Sequence, residues 1–186
     1  MKAPVNAPAE THGEPVLAPG NALLEPDRRA ARAWAALDLV EDPEIPSVSI
    51  VDLGLIRSVT ARPGMLEVGL SPTYVGCPAT EVIRQSVAEA LRAADVGPFA
   101  VTTVLSPAWS SDWISHEGRR KLLEYGIVPP EHSSSLREVL RGSRPVSCPR
   151  CHSTDTECSS EFGSTPCKAL HRCRACLEPF EYFKCI

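Results

Sequence analysis

Residues 65–94, which read MLEVGLSPTYVGCPATEVIRQSVAEALRAA, decide the fold because they join a strand to a helix through one short turn. The first part, to residue 73, has the composition of a strand. Pro78 suits the first position of a helix that continues through 79–94, because the N–H that proline lacks would have no partner there. The apolar residues that share the predicted buried face of this helix are Val82, Ile83, Val87, Ala90 and Leu91.

The segments on either side extend this unit into a small α+β domain. Asp27 is placed to cap a helix that ends by Pro43, and residues 47–61 form strand material before a Pro-Gly turn. After the central helix, the sequence predicts a strand over 99–105 and a helix over 115–125. The order α-β-β-α-β-α therefore predicts an α+β fold.

Composition divides the chain into four segments. A Pro/Ala-rich stretch precedes the domain and predicts a disordered tail, and a stretch without apolar rhythm follows the domain and predicts a linker. The predicted segments are the tail at 1–26, the α+β domain at 27–130, the linker at 131–147 and a cysteine-rich β module at 148–186.

Length and charge exclude several classes of protein. A chain of 186 residues is too short for a barrel enzyme with its own oxidoreductase machinery, and a formal net charge of −4 argues against a nucleic-acid partner. The first residues lack a signal-peptide core, and no segment approaches the roughly 18–20 apolar residues that cross a bilayer. We therefore expect a cytoplasmic protein with no membrane partner, in which crowded thiols are metal ligands rather than disulfides.

Seven of the eight cysteines fall in the last 39 residues, and four of them form two C-x-x-C pairs, Cys148 with Cys151 and Cys173 with Cys176. Each pair lets two sulfurs reach one ion from a tight turn, so the two pairs complete a tetrahedral four-sulfur site. This spacing predicts a zinc-ribbon-like module with a structural zinc ion. Two alternatives stay open, because iron–sulfur clusters are also held by four cysteines and thiols can serve in redox chemistry.

Three cysteines of the tail, Cys158, Cys167 and Cys185, are surplus to that site. They are candidate additional metal ligands, or inert thiols that pack in the interior. His152 and His171 lie nearby in sequence and are candidate replacement ligands, with ordinary surface positions as the simpler interpretation.

Cys77 stands apart from the other cysteines, directly before the central helix. The positive end of the helix dipole favours the thiolate, which is the form that binds metal or attacks as a nucleophile. A small buried thiol at a strand-to-helix turn is the alternative. Asp42 and Glu44 lie in a short acidic loop that could bind metal or accept protons with Cys77, or could simply be solvated.

Two sets of motifs resemble known families. The first set is similar to the iron–sulfur-assembly domain of the SufT type, and its members are DPEIP at 42–46, VDLGLI at 51–56, GCPAT at 76–80, PAWS at 107–110 and GIVPP at 126–130. The second set narrows the resemblance to the PaaD family of phenylacetate-degradation proteins, and its members are CPRC at 148–151, SEFGSTPCKAL at 160–170 and CRACLEPFEYFKCI at 173–186. The resemblance covers residues 27–186.

The resemblance implies a non-catalytic accessory factor that assists iron–sulfur or iron centre assembly or repair in a bacterial phenylacetyl-CoA epoxidase, a multicomponent oxygenase of aerobic phenylacetate degradation. It implies that Cys77, with Asp42 and Glu44, holds iron or an iron–sulfur cluster transiently, beside a structural zinc in the tail. The implied partners are the epoxidase components, particularly the iron–sulfur reductase, and a homodimer is a further candidate.

Two other functions stay open from the sequence. The chain could be a stoichiometric structural subunit of the oxygenase complex, in which Cys77 only packs. It could instead be an enzyme that uses Cys77 as a nucleophile, for which His116 and His132 are the candidate bases.

Overall fold

The computed structural model describes residues 25–130 and 146–184. The helices are α1 (Glu25–Leu37), α2 (Ala79–Ala93) and α3 (His116–Glu124), with a short 3-10 helix at Ser111–Trp113. The strands of the first part are β1 (Glu41–Asp42), β2 (Ile45–Ser49), β3 (Ile56–Arg62), β4 (Met65–Leu70), β5 (Phe99–Thr103) and β6 (Ile127–Val128). The strands of the cysteine-rich part are β7 (Thr156–Ser160), β8 (Lys168–Cys173) and β9 (Pro179–Phe183).

A three-stranded sheet in the order β3-β4-β5 is the framework of the first part. Strands β3 and β4 pair antiparallel through a hairpin in which Gly64 has φ +78°, a left-handed conformation that favours glycine. Strands β4 and β5 pair in parallel, and such a pair needs a long crossover, which α2 supplies. The turn that holds Cys77 therefore lies directly between the end of β4 and the start of α2.

The helices bury narrow apolar faces against this sheet and against each other. Helix α1 contacts β3 and α2, and α2 contacts β5. The buried residues on these faces are Ala33, Leu37, Ile83, Val87 and Leu91. The prediction that Val82 belongs to the buried face is wrong, since its side chain is 49% exposed. The buried stripe of α2 follows the i, i+4 spacing alone.

The α+β class predicted from the sequence is confirmed, and the structure adds β1, β2 and β6 to the predicted order of elements. Residues 47–61, predicted as strand material, are divided between β2 and β3 by a turn. In this turn the N–H of Leu53 donates to the carbonyl of Ser49 at 3.0 Å, and Gly54 has φ +69°. A turn therefore separates two strands of different sheets where the sequence shows a nearly continuous apolar run.

The cysteine-rich part forms a four-stranded sheet in the order β6-β9-β8-β7. Strand β8 pairs antiparallel with β7 and with β9, which is the meander expected of a ribbon. Strand β6 pairs in parallel with β9. A strand that precedes residue 131 thus forms one edge of the ribbon sheet.

The ribbon and the first part share one hydrophobic core. Phe183 and Cys167 are buried in the same cluster as the apolar residues around the three-stranded sheet. The ring of Phe183 lies 6.0 Å from the ring of Trp109, whose indole N–H donates to the carbonyl of Leu53 at 3.0 Å. This packing fixes the ribbon beside the β2–β3 turn.

The predicted tail and linker lie almost wholly outside the described residues, although residues 25 and 26 of the predicted tail belong to α1. Within residues 25–130 and 146–184, no helix has the length and apolar character needed to cross a membrane.

Gly54→Ala should destabilise the protein more than Gly64→Ala. Both glycines have a positive φ, which costs an L residue about 1–2 kcal/mol. A Cβ at position 54 would lie 2.6 Å from the carbonyl oxygen of Trp113, whereas a Cβ at position 64 meets nothing within 4 Å. That contact should cost about 1–3 kcal/mol more. Urea denaturation measures the difference, and equal free energies of unfolding would contradict the close packing at Gly54.

Candidate metal-binding sites

The two C-x-x-C pairs bring four sulfurs together at one end of the ribbon. The ligand atoms of Cys148, Cys151, Cys173 and Cys176 all lie within 4.8 Å of one another. The sulfurs of Cys148 and Cys176 are 3.7 Å apart, and those of Cys151 and Cys173 are 3.6 Å apart. A tetrahedron with zinc–sulfur bonds of about 2.3 Å has edges of about 3.8 Å, so the sulfur positions fit one metal ion.

Local backbone conformation produces this arrangement. Each pair is followed by a residue with positive φ, His152 at 60° and Leu177 at 65°, which turns the chain back toward the sulfurs. The N–H of Cys176 approaches the sulfur of Cys173 at 3.5 Å. This hydrogen bond is the main reason that the pKa of Cys173 falls to about 7, so its thiolate is accessible near neutral pH.

Crowding of the sulfurs opposes full ionisation without a cation. A backbone hydrogen bond involving Glu178 favours the thiolate of Cys176, but burial and the neighbouring thiols together raise the pKa of Cys176 to about 12. A divalent cation would offset this repulsion among thiolates. The donor set and its electrostatics therefore match a metal site closed by four sulfurs.

The other predicted ligands of the tail lie apart from this group. Cys158 is exposed on β7, opposite His171, whose ring stacks 5.7 Å from the ring of Phe180. His152 occupies the positive-φ turn after the first pair. Cys185 lies outside the described residues.

The predicted acidic loop forms a tight turn whose carboxylate faces inward. The Oδ1 atom of Asp42 accepts hydrogen bonds from the N–H groups of Glu44 and Ile45, at 2.9 and 3.0 Å. Burial raises the pKa of Asp42, although these two hydrogen bonds oppose the rise. Burial and the adjacent charge of Asp42 raise the pKa of Glu44. Both carboxylates therefore occupy an environment that disfavours negative charge unless a cation is near.

Cys77 lies at the start of α2, as the sequence predicts. Pro78 has helical φ and ψ of −64° and −27°, and the N–H of Thr80 donates to the carbonyl of Cys77 at 3.2 Å. Pro78 is thus the capping residue of α2, and Cys77 lies directly before it. Burial, the charge of Cys77 and a hydrogen bond with its thiol are the leading causes that raise the pKa of Tyr74 to about 12. Tyr74 therefore stays a neutral hydrogen-bond donor beside the sulfur.

One cavity brings the acidic loop and Cys77 together. Its polar lining includes Asp42, Glu44, Cys77 and Cys167, and its volume is about 20 Å³. That volume holds about one water-sized occupant. Apolar walls that include Phe183 shield the cavity, which therefore suits a single ion rather than an organic substrate.

Cys167 is the residue of this cavity that sequence reasoning did not place. It is 5% exposed, its sulfur lies 4.0 Å from Oε2 of Glu44, and the hydroxyl of Thr165 is 3.0 Å away. Burial raises the pKa of the Cys167 thiol, and the Thr165 contact lowers it. The sequence does indicate that Cys167 lies apart from the four-sulfur group. Cys167 precedes Cys173 by six residues, which span about 20 Å in an extended strand.

Comparison with known proteins identifies two matching family models. Residues 30–105 match the model of an iron–sulfur cluster assembly protein, and residues 132–184 match the model of the PaaD zinc beta ribbon domain. The first match contains Asp42, Glu44 and Cys77, and the second contains Cys167 and the four-sulfur group.

A curated relative spans both parts of the chain. This relative, from Escherichia coli (strain K12), is named as a putative component of 1,2-phenylacetyl-CoA epoxidase. It is 47% identical over 153 residues, which are 82% of this chain and 91% of the relative.

Two solved structures are similar to part of the chain. A crystal structure of a domain of unknown function, DUF59, from Bacillus anthracis is 31% identical, covering 51% of this chain and 92% of its own at a TM-score of 0.47. A solution structure from Mycobacterium tuberculosis is of a protein associated with Fe–S complex assembly and repair. It is 24% identical and covers 63% of this chain and 98% of its own, at a TM-score of 0.31.

Asp42→Asn should flatten the pH dependence of stability. A raised carboxyl pKa means that the folded protein holds a proton that the unfolded chain releases, so wild-type stability is greatest below the ordinary pKa and falls as the pH rises through the raised pKa. The asparagine oxygen can accept the same two N–H groups. The variant should therefore gain stability relative to wild type as the pH rises from about 4 toward 7.

Urea denaturation across that range provides the measurement, with Glu89→Gln at an exposed position of α2 as the control. A variant whose stability falls with pH as steeply as that of wild type would contradict the buried environment of Asp42.

Proposed function

Because the chain belongs to the PaaD family, as does its Escherichia coli relative, we propose that it is a cytoplasmic accessory factor for a bacterial phenylacetyl-CoA epoxidase in aerobic phenylacetate degradation. It assists the assembly or repair of an iron–sulfur or iron centre in that enzyme and does not itself catalyse epoxidation. The match of residues 30–105 to an iron–sulfur cluster assembly protein supports this role.

The observation that carries the proposal is the cavity that Cys77 lines together with the buried carboxyl group of Asp42 and the partly buried carboxyl group of Glu44. A thiolate beside carboxylates is a donor set that suits iron. The cavity volume of about 20 Å³ has room for an ion but not for a coenzyme A thioester. His116, the candidate base for a nucleophilic cysteine, is exposed on α3 and does not line this cavity. These features favour transient metal binding over catalysis on an acyl-CoA.

The residues around Cys77 favour release of the bound iron or cluster as well as its binding. Cys77 is half-buried, and Val75 beside it is 81% exposed, so a client protein can approach the sulfur from this side. Tyr74 donates a hydrogen bond that stabilises the free thiolate after the cargo leaves. The client is an epoxidase component, and the iron–sulfur reductase is the component whose metal centre is assembled or repaired.

The four-sulfur group holds a structural zinc ion. Four cysteine ligands close the coordination sphere, which leaves no position for a substrate. The ribbon has a small cluster of its own around Cys148, Cys173 and Phe180, so the metal supplies much of its folding energy. This zinc ion stays bound to the chain, whereas the iron held at Cys77 is transferred to the client protein.

A stoichiometric structural subunit is the second candidate function. Exposed apolar side chains favour it, since Phe162 and Leu177 on the ribbon are 63% and 60% exposed. Such a subunit would co-purify with the mature epoxidase in equal amounts, whereas an assembly factor would associate transiently.

Cys77→Ser should lower the iron–sulfur content of the reductase in cells by roughly tenfold. The reason is that a serine oxygen is a poor ligand for iron compared with a thiolate. Iron and sulfide analysis of the purified reductase provides the measurement, with Cys158→Ser on β7 as the matched control. Full cluster occupancy and epoxidase activity in the Cys77→Ser strain would refute the assembly role.

The purified chain should contain about one zinc ion, and Cys173→Ser should lose it. Cys173 is fully buried among the other ligands, whereas the control Cys158→Ser replaces an exposed thiol outside the group. Elemental analysis of anaerobically purified protein tests this. Iron and sulfide in place of zinc would show that the tail holds a cluster instead.

A further inference from the structure

We propose that Cys167 of the ribbon is a second thiolate ligand of the site at Cys77, so that the two sulfurs and Glu44 bind one thiophilic divalent cation, ferrous iron in the cell. This inference rests on the proposed function, because it treats that cavity as the place where the cargo is held. It assigns the ribbon a direct part in the site, in addition to its own metal.

The position of Cys167 is the first support. Cys167 and Cys77 line the same cavity, which has room for about one ion. The sulfur of Cys167 lies 4.0 Å from Oε2 of Glu44, so a small movement would let both atoms contact one cation. Tyr74 interacts electrostatically with Cys77, Glu44 and Cys167, so all three groups lie near this side chain.

The environment of Cys167 is unlike that of a thiol that only fills space. A packing cysteine is buried among apolar groups. Cys167 is also buried, at 5% exposure, but its sulfur contacts the hydroxyl of Thr165 and faces a carboxylate. A buried thiol beside a carboxylate keeps its proton when no cation is present, and a metal ion bound by both groups would displace that proton.

The ionisable groups around the cavity carry more negative charge than positive charge. Lys168 is 3% exposed, and its charge lowers the pKa of Asp42 and Glu44. Its Nζ pairs with Oε2 of Glu181 at 3.1 Å, so much of its charge is already balanced. When ionised, Asp42, Glu44 and the two thiolates carry four negative charges, and a bound divalent cation would balance two of them.

The donor set selects the class of cation. Two thiolates and one carboxylate suit a divalent metal of intermediate softness and disfavour magnesium or calcium, which prefer oxygen ligands alone. Binding releases one proton from each thiol to water and leaves the oxidation state of the metal unchanged. No oxidant or reductant is needed for this step.

The test uses the full chain, purified without oxygen and with zinc in the ribbon, and titrates it with Co²⁺. Thiolate-to-cobalt charge-transfer absorption reports sulfur coordination. Wild type should bind one Co²⁺ beyond the ribbon zinc, and Cys167→Ser should weaken that binding by at least about tenfold and reduce the charge-transfer intensity by about half. The matched control, Cys158→Ser, should behave as wild type. Cys167→Ser with wild-type affinity and absorption would overturn the proposal.

A second measurement avoids any dependence on the folding of a variant. The wild-type chain loaded with cadmium-113 should give two resonances, one typical of four sulfur ligands and one typical of two. A second resonance with the shift of a single sulfur, or the four-sulfur resonance alone, would overturn the proposal.

These outcomes separate the inference from the proposed function. If Cys167→Ser loses cobalt while cells carrying Cys77→Ser mature their epoxidase normally, the two-sulfur site stands and the delivery role fails. If Cys77→Ser stops maturation while Cys167→Ser binds cobalt as wild type does, the delivery role stands and the two-sulfur site fails.

Discussion

The packing of Phe183 against Trp109 is the contact on which the two cysteine sites depend. It places the ribbon sheet beside the β2–β3 turn, where β6 completes the sheet from the other part of the chain. Strand β8 then runs from the cavity to the four-sulfur group, with Cys167 just before it and Cys173 at its end. A metal ion bound by the four sulfurs would order one end of β8 and so contribute to the position of Cys167, about 20 Å away along the strand.

The electrostatics of the cavity explain why this arrangement suits a transient cation. Burial raises the pKa of Asp42, Glu44 and Cys167, so the site on its own resists accumulating negative charge. A cation relieves this, and its departure lets the groups take up protons again. Lys168 limits the net charge without filling the site, since its ammonium pairs with Glu181. These groups would therefore bind a cation when they are ionised and release it when they are protonated, as the proposed carrier role requires.

Much of this structure was predictable from the sequence, because short spacings decide which residues meet. The C-x-x-C pairs predicted the four-sulfur group, and the apolar pattern predicted the buried face of α2 except at Val82, which is exposed, and Ala90, which is only partly buried. The position of Cys77 directly before α2 follows from Pro78. Cys167 was not predictable in this way, because its surroundings arise from the packing of two separately formed units. No local pattern encodes that long-range contact, although the strand spacing to Cys173 already excludes a shared ion.

The central claim is that both family domains contribute sulfur to one cation site. Anomalous diffraction at the iron edge, from crystals of the zinc-containing chain loaded with ferrous iron without oxygen, tests this most directly. We expect an iron peak in the cavity at about 2.3 Å from the sulfurs of both Cys77 and Cys167. A peak bound to Cys77 alone, or confined to the four-sulfur group, would contradict the account.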